Sequence, residues 1–256
     1  MMWVVSALKG YDIEGTDGRI GTVSDILFDD TTWKLRWLVV DTGGWLTGRK
    51  VLIHPSAIGR ADPDRQELHV HLTKERISTS PDIAQDAPVT KQMQVGLYDY
   101  YGWDPMWGGS YFGGGLLATP PLVSPRRAPG ELGELQREGF GDELEGDPHL
   151  RSIAAVTGYH VHATDGDIGH VQDILIEESG WAIRYVIVDT KNWWPGQHVL
   201  VAPFAVKSVS WEDQKLNLNI TKAQVKSSPP WDPLAQIDEA YQHNLHRHYD
   251  WPGYGW

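Results

Sequence analysis

The sequence predicts a mainly β protein made of two small β-barrels in tandem, each followed by a short helix and an aromatic tail, in a pseudo-twofold arrangement. The first observation behind this prediction is a repeat. Residues 10–81 align with residues 158–229 at an offset of 148 without a gap, and 28 of the 72 pairs are identical. The second is that each copy contains six short apolar runs separated by polar turns, the pattern of a small barrel or sandwich. Closing the strands into a barrel removes exposed sheet edges.

The strands of the first copy can be located one after another. The dipeptide Asp17-Gly18 predicts a two-residue hairpin, because both central residues of the favoured turn adopt positive φ. A long strand follows, in which Gly21 predicts a bulge or bend. The run 33–41 begins as a half-exposed strand with Arg36 on its polar face, and it becomes apolar on both faces toward its end. Three shorter strands complete the copy.

Two helical segments follow the strands of the first copy. Thr73 is placed to cap a helical turn in the sequence TKERI, since its hydroxyl can accept a hydrogen bond from a backbone N–H of the first turn. The run TKQMQVGLYDYYG predicts a helix that starts at Thr90 and stops at Gly102.

The repeat sets the expected domain boundaries. We predict a first domain over 1–107 and a second over 148–256. The intervening stretch 108–147 is rich in Gly, Pro and acidic residues, which cannot bury enough apolar surface to offset their ordering entropy. We expect this stretch to be a flexible linker.

Composition narrows the class of function. The formal net charge of −12 argues against sequence-independent nucleic-acid binding and against docking on anionic lipid. The absence of cysteine excludes disulfides and thiolate chemistry and fits a reducing compartment. The apolar start MMWVVSALKG is too short for a membrane-spanning helix and lacks the features of a signal peptide. We therefore expect a soluble, cytoplasmic protein without direct membrane insertion.

The ordered pattern Gly, T-D-G, I-G-x-V-x-D, V-D-T, W-x-x-G, V-L, Pro occurs in both copies and resembles the PRC-barrel family. The likeness covers roughly Leu8–Ile77 and Val156–Val225. The family includes the cytoplasmic domain of the photosynthetic reaction-centre H subunit and the C-terminal half of the ribosome-maturation factor RimM. The resemblance implies a small β-barrel, often an adaptor on protein or cofactor-bearing complexes, with no shared catalytic residues. Tandem, free-standing PRC-barrel proteins of bacteria are the most similar in organisation.

Polar residues recur inside or at the ends of strands in both copies, where a carboxylate is disfavoured unless it has a partner. We interpret them as a carboxylate–guanidinium pair or a loop-capping carboxylate in each barrel. The alternative, by analogy with the H subunit, is a route for protons. The recurring residues are Asp25, Arg36 and Asp41 in the first copy and Asp173, Arg184 and Asp189 in the second.

Histidines raise the possibility of a metal site. His243, His246 and His248 form the best cluster, although such short histidine-rich tracts are only a compositional hint. Their counterparts in the first copy are not histidines, so such a site would belong to the second copy alone. Because no histidine is shared by the two copies, the repeated unit is not expected to catalyse a reaction.

Aromatic residues offer the better lead. Tryptophans lie in the loop that follows V-D-T, and aromatic tails follow both barrels. These residues either pack beneath the tails or form an exposed surface for a partner, in which tryptophan and tyrosine would supply most of the binding energy. They are Trp45, Tyr101 and Trp103 in the first copy and Trp193, Trp194, Tyr249 and Trp251 in the second.

These observations favour a non-enzymatic adaptor or assembly module that needs no cofactor and docks on a protein complex, or on a second copy of itself. A first alternative is an accessory of a membrane redox or reaction-centre complex that influences proton or electron transfer. A second alternative is metal binding through the C-terminal histidines.

Overall fold

A computed structural model describes residues 1–80, 89, 91–103, 147–190, 197–232 and 237–252. The chain forms two compact units. The first-repeat unit comprises Gly10–Leu150, and the second-repeat unit comprises Met1–Lys9 together with Arg151–Trp256. The expected linker lies almost entirely outside the described residues. None of the helices in the described ranges has the length and apolar character needed to cross a lipid bilayer.

The described part of the first repeat contains six strands in the first-repeat unit. They are β2 (Asp12–Gly15), β3 (Gly18–Asp29), β4 (Lys34–Asp41), β5 (Lys50–Ile53), β6 (Ile58–Asp62) and β7 (Glu67–Val70). Helices α2 (Lys74–Ser78) and α3 (Lys91–Tyr101) follow them. The strand order is β5–β4–β3–β2–β7–β6, and every pairing is antiparallel except β2 with β7.

The second-repeat unit has the same order of elements, preceded by β1 (Met2–Val4) and α1 (Val5–Leu8). After β8 (Leu150–Ser152), which begins at the unit boundary, and α4 (Ile153–Val156), its strands are β9 (His160–Ala163), β10 (Gly166–Glu177), β11 (Ala182–Asp189), β12 (His198–Val201), β13 (Val206–Ser210) and β14 (Lys215–Leu218). Helices α5 (Lys222–Lys226) and α6 (Glu239–Tyr249) end it. The strand order is β12–β11–β10–β9–β14–β13, with β9 and β14 parallel.

The mainly β fold is confirmed. Within the described residues 50–62, however, β5 and β6 are not joined by strand pairing. They are connected by the 3-10 turn Pro55–Ala57. The backbone N–H of His71, just after β7, donates to the carbonyl of Ala57 in this turn at 2.9 Å. The sheet of each repeat therefore curls around its core with this turn between its two end strands. The inner side chains Ile13, Ile26 and Leu68 are fully buried.

Gly21 lies at a bulge, as predicted. Gly21 pairs with Ile13 and Arg19 pairs with Glu14, so Ile20 is the extra residue on β3. A Cβ atom on Gly21 would collide with the carbonyl oxygen of Asp41. The counterpart Gly169 meets the carbonyl of Asp189 in the same way, and its φ is +139°. In each copy the backbone of the long strand approaches the end of the next strand so closely that only glycine fits.

The predicted helix cap at Thr73 and the predicted helix end at Gly102 are also confirmed. The hydroxyl of Thr73 accepts the N–H of Arg76 at 3.2 Å and caps α2. In the second copy Thr221 caps α5 through a reciprocal capping box with Gln224. Helix α3 ends at Tyr101, and Gly102 follows with φ +68°, the left-handed conformation that glycine adopts at helix ends. Thr90 lies outside the described residues.

We predict that Gly169→Ala destabilises the chain more than Gly21→Ala, because Gly169 combines the collision with a positive φ. Each substitution should lower the free energy of unfolding by more than about 1 kcal/mol, as judged from urea unfolding midpoints. Gly44→Ala is the matched control, since a Cβ there meets nothing within 4 Å. Equal midpoints for all three variants would contradict the close-approach explanation.

Candidate functional site

The aromatic tail of the first copy packs against its own barrel. Tyr98, near the end of α3, lies with its ring centroid 5.2 Å from that of Trp37 on β4. Trp103 follows the helix, stacks on Tyr101 at 4.1 Å and reaches Trp37 at 6.0 Å. Trp37 Nε1 donates to Gln94 Oε1 on α3 at 3.1 Å. The helix and its tail therefore close one side of the barrel.

The second copy uses the same arrangement with different side chains. Tyr249 and Trp251 stack at 4.3 Å, as Tyr101 and Trp103 do. Tyr185, at the position of Trp37, shares a hydrogen bond of 2.9 Å between its Oη and Nε2 of His246. Burial raises the pKa of Tyr249 to about 12, so this phenol stays neutral.

The three histidines of α6 have separate partners. His246 is 5% exposed, and its Nδ1 lies 2.6 Å from the Pro252 carbonyl. His248 Nε2 lies 2.8 Å from the carbonyl of Gln224, and His243 Nδ1 lies 3.2 Å from the Arg247 guanidinium. Within the described part of the chain, no three His, Asp or Glu side chains gather in a metal-binding arrangement.

Trp45 is placed differently from the tail aromatics. It lies in the 3-10 turn Gly43–Leu46 between β4 and β5 and is 39% exposed. Its Nε1–H donates to the carbonyl of Ile20 at 2.5 Å, and the Lys74 ammonium lies 5.6 Å from its ring centroid. The indole is thus held in one orientation while part of its ring faces solvent. Trp193 and Trp194 lie outside the described residues.

The recurring acids engage backbone amides. Asp41 Oδ1 accepts the N–H of Gly43 at 2.8 Å and so caps the start of the tryptophan loop. Asp25 accepts the N–H of Ile26 at 2.8 Å. Asp173 accepts the N–H of Ile174 at 2.8 Å and also that of Ser6 at 3.2 Å, at the start of α1. Asp189 is 7% exposed at the end of β11.

Asp17 has a role beyond its turn, which its sequence context did not indicate. Its carboxylate accepts the N–H of Lys74 at 2.9 Å, at the first residue of α2. The counterpart Asp165 accepts the N–H of Lys222 at 2.7 Å. In both copies, therefore, this acid joins the hairpin to the N-terminus of the following helix, where a negative charge is favourable.

Arg36 and Arg184 each lie beside an acidic residue that is not identical in the two copies. Arg36 Nη1 is 3.9 Å from Asp29 Oδ2, and Arg184 forms a hydrogen-bonded ion pair with Glu177. Positions 29 and 177 correspond in the repeat, but they carry Asp and Glu, so identity between the copies did not mark them. The expectation that Arg36 lies on a half-exposed face was wrong. It is 3% exposed, since Asp29 and the end of α3 cover it.

His54 is the buried group that the sequence gave no reason to select, because its counterpart in the second copy is Ala202. It is 1% exposed, and its ring contacts Trp37, Tyr98 and Trp103. Its Nδ1 lies 2.8 Å from the Ser56 hydroxyl. Burial, together with the nearby charge of Arg36, lowers the pKa of His54 to about 3. The imidazole is therefore neutral at physiological pH.

We predict that His54 makes folding sensitive to mild acid. Above pH ~6.5 the residue is neutral in both states. Below that pH the unfolded chain binds a proton that the folded chain does not, so stability falls by about 1.4 kcal/mol per pH unit until the folded pKa is reached. The difference in unfolding free energy between the wild type and His54→Ala should therefore shrink from pH 7 to pH 4. The half-exposed His69, changed to Ala, is the control. Parallel stability curves for the wild type and His54→Ala would contradict the assignment.

Comparison with known proteins agrees with this geometry for part of the chain. An uncharacterized protein of Deinococcus radiodurans is 32% identical over 83 residues, which cover 32% of this chain and 29% of that relative. The chain thus aligns with less than a third of the relative's length. The family model that describes the PRC-barrel domain matches residues 5–77. Residues 5–77, in the first repeat, are therefore similar to a PRC-barrel domain.

Proposed function

We propose that the protein is a non-enzymatic adaptor that docks on a protein complex through the surface around Trp45. This docking surface consists of Trp45 and its loop, the turn at Thr16 and Asp17 between β2 and β3, and Lys74 at the start of α2. The proposal assigns the adaptor to the cytoplasm, in keeping with its cysteine-free composition.

The exposure of Trp45 is the observation that carries the proposal. Among the described residues, the large hydrophobic side chains that remain exposed are Met1 and Trp45, whereas the tail aromatics are turned onto the barrel. The hydrogen bond to Ile20 and the cation beside the ring fix the indole before a partner arrives. Tryptophan is enriched among the residues that dominate binding energy, and pre-organisation lowers the entropy cost of binding.

The recurring carboxylates are engaged within the fold, which favours a structural role for them over a catalytic one. Asp17, Asp41 and Asp173 each use their carboxylate to hold backbone N–H groups, which explains why both copies keep them. We further propose that the second repeat is a second PRC-type domain, because its six strands follow the same order as those of the first.

The test is affinity capture with the full chain as bait, followed by mass spectrometry. We predict that Trp45→Ala captures at least ten-fold less partner than the wild type. Its free energy of unfolding should change by no more than about 1 kcal/mol, as expected for a half-exposed residue with one hydrogen bond. Glu75→Ala, on the exposed face of α2, is the control and should capture as the wild type does.

Two results would refute the proposal. One is equal capture by the wild type and Trp45→Ala. The other is a defined turnover by the purified chain that survives Trp45→Ala. Trp193→Ala, measured in parallel, reports whether the second copy contributes a surface of its own.

A further inference from the structure

β3 and β10 are much longer than the strands that precede them, β2 and β9, with which they pair on one side. β10 has 12 residues, and β9 beside it has four. The backbone bonds between them extend only as far as Val171, whose N–H donates to the Tyr159 carbonyl at 2.8 Å. The second half of β10 would therefore present unpaired N–H and C=O groups along this edge. Such an edge must be covered or paired, because it otherwise templates association with another strand.

The first nine residues of the chain cover this edge. β1 pairs with β10 in antiparallel register, with Val4 opposite Leu175 and Met2 opposite Glu177. Past the end of β10, the N–H of Glu178 donates to the carbonyl of Met1 at 3.0 Å. Helix α1 then turns back over β10, and the Asp173 carboxylate accepts the N–H of Ser6.

Side-chain burial shows that the segment is part of the core rather than a loose strand. Trp3 is 6% exposed, Val5 is 2% exposed and Leu8 is fully buried. Burying three such side chains contributes several kcal/mol at roughly 1.5–3 kcal/mol each. By sequence, residues 1–9 belong to the first repeat, yet they complete the sheet of the second.

The first-repeat unit includes His149 and Leu150, which correspond to Met1 and Met2. The N–H of Asp30 donates to the carbonyl of His149 at 2.9 Å, and positions 149 and 30 correspond to positions 1 and 178 of the other bond. His149 Nδ1 also lies 2.9 Å from Asp30 Oδ1. Asp147 fixes this turn, since it accepts the N–H of His149 at 3.0 Å and the Gln94 amide at 2.8 Å.

We infer that the first repeat donates its leading segment to the sheet of the second repeat, so that the free edge of β10 is a strand-accepting site whose occupant is residues 1–9 of the same chain. The recognition is strand addition: backbone bonds supply the pairing and apolar side chains supply the specificity. The sheet of the second repeat is then complete only with residues of the first repeat. This inference does not depend on the proposed docking surface.

The absence of cysteine from the chain makes a disulfide test clean. In the full chain, Val4→Cys with Leu175→Cys should form an intrachain disulfide on mild oxidation, because antiparallel register partners lie within the Cα separation that a disulfide spans. The matched control is Val4→Cys with Leu27→Cys, since Leu27 occupies the position in the first repeat that Leu175 occupies in the second. Non-reducing electrophoresis and peptide mapping measure the cross-linked fraction.

The inference predicts that most of the Leu175→Cys protein cross-links and that essentially none of the control does. A cross-link to position 27, equal fractions in both proteins, or a cross-link between two chains would overturn it. Should Leu175→Cys prevent folding, Met2→Cys with Glu177→Cys tests the same register at half-buried positions. Absence of the cross-link in this folded second variant would also overturn the inference.

Discussion

The backbone of the long strands must be hydrogen-bonded along its whole length, and the organisation of the protein depends on this requirement. A 12-residue strand beside a four-residue strand leaves donors and acceptors that burial makes costly. In the second-repeat unit, β1 pairs with β10 over Leu175–Glu177, and the same segment buries Trp3 and Leu8. Each compact unit is therefore built from both repeats, and the match to the PRC-barrel model, which begins at residue 5, spans residues of both units.

The aromatic residues have two separate roles. In both copies the tail after the last helix folds onto the barrel, with a stacked Tyr–Trp pair at 4.1 Å in one and 4.3 Å in the other. These side chains contribute to the core. Trp45 is instead fixed by a hydrogen bond and a cation at the end of the barrel, and it keeps 39% of its surface exposed. Among the described residues, Trp45 is the aromatic side chain that stays exposed.

The local sequence pattern indicated the strands, the bulge at Gly21 and the cap at Thr73, because these depend on local conformation. It could not locate features that depend on which strands pair. The corresponding edges of β3 and β10 have nearly the same sequence. Periodicity therefore cannot show with which of the two strands residues 1–9 pair. It also missed the burial of Arg36, because alternation along β4 does not show what covers its far face, and that of His54, which follows β5 and aligns with Ala202 in the second copy. The left-handed φ of Trp33 and Trp181, near +50°, is likewise a property of the turn rather than of the residue type.

Hydrogen exchange of Leu8→Ala in the full chain tests the central claim most directly. Leu8 is fully buried in the second-repeat unit, and its truncation should weaken the donated segment by roughly 2–5 kcal/mol. The account predicts faster amide exchange in β10 (Gly166–Glu177), with β3 (Gly18–Asp29) unchanged. Faster exchange in β3 with β10 unchanged would show that residues 1–9 complete the sheet of their own repeat, and it would contradict the account.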